Sequence, residues 1–159
     1  MSEEKQDGKN PLVYCCLGVI VIAVLLGLAS FLLIPTSAEL NGVSFGIPED
    51  YKQINEELTD KIYFVSKDSE VGNNIQISTV SDLNTSMNEL AIGDDFSTTT
   101  VPLTSKNIDG ITVYYIGWAD KEIPTDAWYV YGFQKDNKNF TIDSRMLLGD
   151  KTLSQILNP

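Results

Sequence analysis

Carboxylate side chains are the groups in this sequence with the most evident capacity for chemistry. Adjacent acidic pairs stand at Glu49-Asp50, Glu56-Glu57 and Asp94-Asp95. Their oxygens could bind Ca²⁺, which takes about six to eight oxygen ligands, and a suitably separated pair could serve glycoside hydrolysis. The sequence has no calcium loop of about twelve residues. We therefore interpret the pairs as solvated surface charge and predict no catalytic residue, no metal ligand and no cofactor.

Histidine is absent from the 159 residues. This excludes Ser-His-Asp and Cys-His catalysis, His-ligated zinc or haem, and an imidazole switch near neutral pH. The two cysteines, Cys15 and Cys16, are adjacent. We interpret them as membrane-boundary residues, with S-acylation as the alternative.

Two asparagines lie in sequons that could accept a glycan, Asn84-Thr85-Ser86 and Asn139-Phe140-Thr141. Asn139 falls in a predicted turn and is the better candidate, whereas Asn84 falls in a predicted helix. Modification at either position would suit a domain that faces outward. Chance matches to such a short pattern are common. We therefore treat both asparagines only as candidate glycosylation sites.

Aromatic side chains are concentrated on two predicted hairpins near the middle of the domain. These residues are Tyr114, Tyr115, Trp118, Trp128, Tyr129, Tyr131 and Phe133. Strand alternation places Trp128 on one face and Tyr129, Tyr131 and Phe133 on the other. The second set is the candidate binding face for a ligand or partner. Core packing is the favoured alternative.

An uncharged apolar segment of 23 residues runs from Leu12 to Ile34, between two prolines. As a helix it would extend about 35 Å, enough to cross the hydrocarbon core of a bilayer. We predict a transmembrane helix that contacts lipid along this length. The alternatives are a buried helix and a cleaved signal peptide ending before Glu39; a lipoprotein anchor fits less well. Ala23 and Gly27 could allow two such helices to associate.

The charge distribution predicts both orientation and solubility. Lys5, Lys9 and the amino terminus lie before the apolar segment and only Lys52 lies close after it, which favours a cytoplasmic amino terminus and a domain outside. Of 11 Lys+Arg and 22 Asp+Glu, two basic and three acidic residues precede the segment. The remainder carries a net charge of −10, which makes nucleic acid an improbable partner.

The predicted organisation is a charged tail at 1–11, the membrane helix at 12–34, a linker at 35–41 and one acidic domain at 42–159. Alternation in Val43-Phe45-Ile47, Ile62–Val65 and Ile75-Ile77 predicts three strands that are consecutive neighbours in a sheet. A short helix capped by Ser81 or Asp82 follows. Four further strands are predicted in this order: near Thr100–Thr104, at Ile111–Trp118, at Ala127–Phe133, and through Phe140 and Ile142 after an Asp136–Asn139 turn. Asp150 is predicted to cap a closing helix with an apolar stripe.

The order of these elements and four local segments carry a resemblance to a known family. The segments are Phe45–Tyr51, Asn107–Gly110, Tyr131–Lys135 and Leu153–Leu157. The domain resembles the Mog1/PsbP-like family, in particular small membrane-anchored PsbP-like proteins of methanogenic archaea. The resemblance implies an α+β fold, with a mostly antiparallel sheet flanked by helices as an α/β/α sandwich. It also implies a non-enzymatic binding or assembly role.

The sequence thus predicts a single-pass protein of the cell membrane, with an extracytoplasmic domain that binds or supports another envelope component. A protein of the cell envelope is the expected partner besides the bilayer. The alternative function is a membrane-anchored hydrolase that uses carboxylates or a metal ion. A deep pocket with several perturbed carboxylates would favour the hydrolase, whereas an open sheet face with Tyr and Trp would favour the binding module.

Overall fold

The computed structural model describes residues 36–54, 60–68, 74–92, 97–123 and 125–159. Within these residues the chain forms nine strands and two helices. The strands are β1 (Ser37–Leu40), β2 (Val43–Gly46), β3 (Tyr51–Ile54), β4 (Lys61–Ser66), β5 (Asn74–Val80), β6 (Ser97–Ile108), β7 (Ile111–Asp120), β8 (Ala127–Lys135) and β9 (Lys138–Ser144). The helices are α1 (Leu83–Ile92) and α2 (Asp150–Leu157). The prediction of an α+β fold is confirmed.

Seven of the strands form one antiparallel sheet in the order β3-β4-β5-β9-β8-β7-β6. Strands β6 to β9 are a meander of consecutive hairpins, as predicted. Strand β5 pairs with β9. This pairing connects β3, β4 and β5 to the β6–β9 meander, although β5 and β9 are distant in sequence. Strands β1 and β2 form a separate two-stranded sheet.

Three hairpins are closed by two-residue turns in which both residues have positive φ. The turn between β6 and β7 has φ 50° at Asp109 and 90° at Gly110, and the turn between β8 and β9 has φ 50° at Asp136 and 59° at Asn137. Asn41 and Gly42 close the β1–β2 hairpin in the same way. Such turns match the right-handed twist of the paired strands and favour Asn, Asp and Gly.

The larger hydrophobic core lies between one face of the seven-stranded sheet and a layer made by β1, β2 and α2. Phe45 of β2 makes edge contacts with the rings of Phe133 and Phe140, with centroids 6.2 and 5.0 Å apart. From α2, the predicted apolar stripe is buried in the same cluster, as Leu153, Ile156 and Leu157. The β1–β2 hairpin and α2 therefore cover this face together.

A smaller core lies on the opposite face, under α1. Met87 packs with Ile116, Trp118 and Val130, and Leu83 and Leu90 pack at its border. The predicted start of this helix is confirmed, because Asp82 Oδ1 accepts a hydrogen bond from the Thr85 N–H at 3.1 Å. Helix α1 makes its main contacts with β6, β7 and β8.

Strand β2 passes very close to α2 at Gly46. A Cβ atom at this position would lie 2.0 Å from the carbonyl oxygen of Gln155 and 3.3 Å from the Cα of Pro159. Only a glycine allows the strand and helix backbones to approach so closely. Residue 46 therefore sets the distance at which α2 packs.

Lys135 joins three elements where the β8–β9 hairpin ends. Its Nζ donates hydrogen bonds to the carbonyl oxygens of Ser44 in β2 and Leu157 in α2, both at 2.6 Å. The ammonium also lies 5.2 Å from the centroid of the Phe45 ring. Partial burial lowers the pKa of Lys135, an effect opposed by Asp136. The Lys135 side chain therefore adds two hydrogen bonds and a cation–π contact to the apolar packing of β2 and α2 on the sheet.

Strand β6 is the last strand of the sheet and is irregular. Its pairing with β7 shifts register between Thr99 and Val101 and again between Val101 and Thr104. Pro102 lies within this irregular part, and proline has no N–H to donate.

Several predicted details are wrong. The 35–41 linker contains β1, and the compact unit starts at Thr36 instead of residue 42. The strand at Val43 is not a neighbour of β4 in the large sheet; β3, which was not predicted, takes that place. The β8–β9 turn is shorter than predicted because Lys138 already pairs with Lys135. Gly149, not Asp150, is the N-cap of α2, since the helical conformation begins at Asp150.

Neither helix of the described residues is long and apolar enough to cross a membrane. The predicted transmembrane segment from Leu12 to Ile34 lies outside the described residues, as do Cys15 and Cys16 and the Ala23–Gly27 pair.

Candidate functional site

A row of side chains crosses the centre of the sheet on the α1 face. Tyr63 of β4 pairs with Gln76 of β5, Gln76 pairs with Asp143 of β9, and Asp143 pairs with Val130 of β8. Residues that are directly opposite in neighbouring strands point to the same face. Val130 is buried under α1, whereas Tyr63, Gln76 and Asp143 are half-buried. The polar part of the row therefore lies beside the helix-covered part.

This row forms the floor of a groove of about 710 Å³, which we call the row groove. Tyr129 and Ser144 border it, although their pairing with each other and with Ile75 places their side chains on the opposite face of the sheet. The nine lining residues include two further aromatic rings, two side-chain amides, two carboxylates and a guanidinium. They are Tyr63, Asn74, Gln76, Asp126, Trp128, Tyr129, Asp143, Ser144 and Arg145. The residues come from β4, β5, β8 and β9 and from the segments next to them, so the large sheet itself fixes their positions.

Asp143 is a half-buried acidic group of the row groove. Its partial burial raises the pKa of the carboxyl above its ordinary value, and the positive charge of Lys61 opposes this effect. No described residue donates a hydrogen bond to this carboxylate. Its oxygens can accept hydrogen bonds from water or from a ligand hydroxyl or amide.

Trp128 forms the aromatic wall of the row groove. Its ring stacks on that of Trp118 with centroids 5.9 Å apart and an interplanar angle of 29°. Because Trp118 is buried under α1, it holds the Trp128 ring from one side. The exposed part of Trp128 lines the groove and is thus preorganised for contact with a ligand.

An ion pair stands at one end of the row groove. Arg145 Nη1 and Asp126 Oδ1 are 2.7 Å apart, and both side chains are about half exposed. A pair this exposed contributes little to stability. Its clearer effect is that the two charges compensate each other at the mouth of the groove.

The predicted binding face of Tyr129, Tyr131 and Phe133 is wrong for two of its three members. Tyr131 and Phe133 are fully buried in the larger core, because the β1–β2 hairpin and α2 cover their side of the sheet. The Tyr131 hydroxyl accepts a hydrogen bond from the Leu148 N–H at 2.6 Å, and burial raises the pKa of Tyr131 to about 12. Only Tyr129 is partly exposed; it borders the row groove, but its side chain packs against the larger core on the opposite face of the sheet.

The two candidate glycosylation sites lie at a second groove of about 550 Å³. Asn84 is exposed in the first turn of α1, so it lies in a helix as predicted. Asn139 is half-buried in β9 instead of the predicted turn, and its Nδ2 donates to the Ser81 carbonyl at 3.2 Å. Glycosylation of either asparagine stays a prediction.

Of the three acidic pairs, only Glu49-Asp50 falls in the described part of the chain. Both residues are exposed between β2 and β3, and Glu49 Oε2 lies 3.3 Å from Lys151 Nζ. The described residues contain no group of three or more His, Cys, Asp or Glu that could hold a metal ion. Glu56-Glu57 and Asp94-Asp95 lie outside those residues.

The row groove is not among the predicted sites, although the sequence contains a signal for it. Gln76 alternates with Ile75 and Ile77, and Asp143 follows Ile142 in the same pattern. Polar residues at every second strand position indicate a face that is not covered by apolar side chains. Which polar residues become neighbours depends on the strand register, and this came only from the structure.

No protein-family model matches the sequence. No curated protein matches it with significance either.

Proposed function

We propose that this chain is a single-pass membrane protein whose acidic domain acts outside the cytoplasm as a non-enzymatic binding or assembly module of the cell envelope. The uncharged segment Leu12–Ile34 supports the membrane anchor, and the lysines before it support the orientation. The domain would then be tethered at the outer surface of the membrane, with its binding site in the aqueous phase.

The row groove is the observation on which the binding role depends. It places a supported indole, a tyrosine ring, two amides and a half-buried carboxylate along one open surface. Ligand sites combine aromatic side chains with a few placed polar groups in this way. The area is also held by β-strands, which position side chains more rigidly than loops do.

Two features of the groove favour binding over hydrolysis. The carboxylate of Asp126 is paired with Arg145 at 2.7 Å, so it is already engaged as a counter-ion. Asp143, whose pKa is raised by burial, is then the groove carboxyl that has no ion pair among the described residues. Hydrolysis by two carboxylates needs an acid and a base held in different environments across the scissile bond. We therefore keep the hydrolase as the second candidate.

The Mog1/PsbP-like fold belongs to this proposal. Its support is that the two described helices pack on opposite faces of a mostly antiparallel sheet. The segments that carry the resemblance also lie at structural junctions: Gly46 at the close approach to α2, Asp109-Gly110 in a hairpin turn, and Lys135 between three elements.

Labelling in intact cells tests the orientation. In a background with Cys15 and Cys16 replaced by serine, a cysteine is introduced by Ile123→Cys, at a site whose side chain is 58% exposed. Ser2→Cys gives the matched variant in the tail. A membrane-impermeant maleimide should label the Ile123→Cys variant in intact cells and the Ser2→Cys variant only after lysis. The reverse pattern would place the domain in the cytoplasm and overturn the proposal.

Photocrosslinking tests the binding role. A photoreactive amino acid at Asn74, an exposed lining residue of the row groove, should give a discrete adduct with an envelope component in whole cells. The same amino acid at Lys151, exposed on α2 at the opposite face of the sheet, is the control. Equal or absent adducts at the two positions would argue against a binding site in the groove.

A further inference from the structure

We propose that the row groove binds a neutral saccharide of the cell envelope. This inference rests on the proposed function and specifies the ligand class of the same site. Three properties of the groove support it: flat aromatic surfaces, a mixture of hydrogen-bond donors and acceptors, and compensated charge.

The aromatic surfaces suit the apolar faces of a pyranose ring. Trp128 is stacked on Trp118 on one side, so its remaining exposed part is a rigid platform. Tyr63 is half-buried at the other end of the cross-strand row. Tyrosine and tryptophan supply large contact areas for little loss of side-chain entropy. A ring ligand can therefore contact Trp128 or Tyr63 without reorganisation of the groove.

The polar groups between the aromatic residues suit hydroxyl groups, which both donate and accept. Gln76 Nε2 donates to Ser78 Oγ at 2.9 Å, which orients the amide and leaves its oxygen as an acceptor. Asn74 adds a second, exposed amide. Asp143 adds a half-buried acceptor, and a hydroxyl bonded to a carboxylate in such a site makes a strong hydrogen bond.

The charged side chains in and beside the groove favour a neutral ligand. Asp126 is paired with Arg145, and Lys61 acts electrostatically on Asp143. The formal charges of these four residues cancel, although the protein as a whole carries −11. An anionic ligand would be repelled by the net charge of the protein, and a cationic ligand would meet the positive charges of Arg145 and Lys61 beside the two carboxylates. A neutral polyhydroxylated ligand meets neither difficulty.

Titration of the purified full-length chain tests the inference. The probes are neutral oligosaccharides of glucose, galactose, mannose and N-acetylglucosamine in α and β linkages, with hexalysine as the cationic competitor. Calorimetry and tryptophan fluorescence should show saturable binding of at least one oligosaccharide, with a Kd of about 1 mM or tighter. The Trp128→Ala and Asn74→Ala variants should weaken it by about tenfold or more.

One control variant and a second groove variant make the result specific to this groove. Tyr114→Ala removes another aromatic residue of the same sheet face, 38% exposed at the second groove, and should change the Kd by less than about twofold. Asn74 is exposed, so its substitution tests the groove even if the Trp128→Ala variant does not fold.

Three outcomes would overturn the saccharide inference: no saturable binding of any oligosaccharide, binding that is insensitive to both groove variants, or groove-dependent binding of hexalysine alone. In each case an adduct from Asn74 in cells would leave the binding module standing with another ligand. Absence of that adduct would remove the proposed function as well.

Discussion

The close approach of β2 to α2 makes Gly46→Ala a sharp test of how the larger core is assembled. The new Cβ would lie 2.0 Å from the Gln155 carbonyl oxygen and 3.1 Å from its carbonyl carbon. Both atoms belong to the helix backbone, so no side-chain rotation can relieve the overlap. Either α2 or β2 must move.

The size of the effect follows from this distance. Ordinary contact begins at about 3.4 Å, so the two backbones must separate by about 1.4 Å. Helix α2 carries Leu153, Ile156 and Leu157, whose exposure is 0%, 0% and 1%. Overpacking of a close-packed core costs about 1–3 kcal/mol, and partial exposure of these side chains adds to it. We expect the variant to lose about 3 kcal/mol of unfolding free energy.

Urea unfolding of the full-length chain, followed by tryptophan fluorescence, measures this loss. With a slope of about 1.5 kcal/mol/M, the midpoint should fall by about 2 M. Gly149→Ala is the matched control on the same helix, because φ is −71° and no atom lies within 4 Å of its added Cβ. Its free energy should change by less than about 1 kcal/mol. A Gly46→Ala variant as stable as this control would refute the reasoning.

Three further substitutions test the helix cap and two perturbed groups. Gly149→Ser should raise the unfolding free energy by about 0.5–1 kcal/mol, because the N-cap makes no side-chain hydrogen bond; an unchanged urea midpoint would contradict this. Tyr131→Phe should lower it by about 1–3 kcal/mol by leaving the Leu148 N–H without its acceptor. Since the pKa of Tyr131 is raised to about 12, the wild type should also lose stability between about pH 10 and 12, and the variant should lose less over this range. Asp143→Asn should be more stable than wild type at neutral pH, because burial opposes ionisation of Asp143, and the difference should vanish as pH falls below 3.8; a difference independent of pH would show that the charge is not responsible.

The parts of the fold that were predictable are those with local signals. The β6–β7 hairpin has Asp109-Gly110 between two runs of β-favouring residues, and α1 has a capping residue before regularly spaced apolar positions. Strand β1 also has a local signal, since Asn41-Gly42 strongly favours a hairpin turn. The strand was not predicted because Ser37–Leu40 is short and has few β-favouring residues.

Long-range pairing was not predictable from such signals. Strand β2 has the same alternation as β4 and β5, yet it pairs with β1 and packs on the sheet instead of joining it. The row of Tyr63, Gln76 and Asp143 likewise depends on a β5–β9 register that no local pattern specifies. Residues of similar appearance, such as Tyr129 and Tyr131, differ in exposure because one hairpin and one helix cover only part of the strand.

The irregular course of β6 has a consequence for contacts between molecules. An unpaired outer strand normally offers its backbone to an incoming strand, which leads to aggregation or to peptide capture by β-strand addition. Pro102 removes one donor from this ladder, and the two register shifts interrupt its regular spacing. We therefore expect this border of the sheet to resist edge-to-edge self-association, and recognition to depend on side chains instead of backbone pairing there.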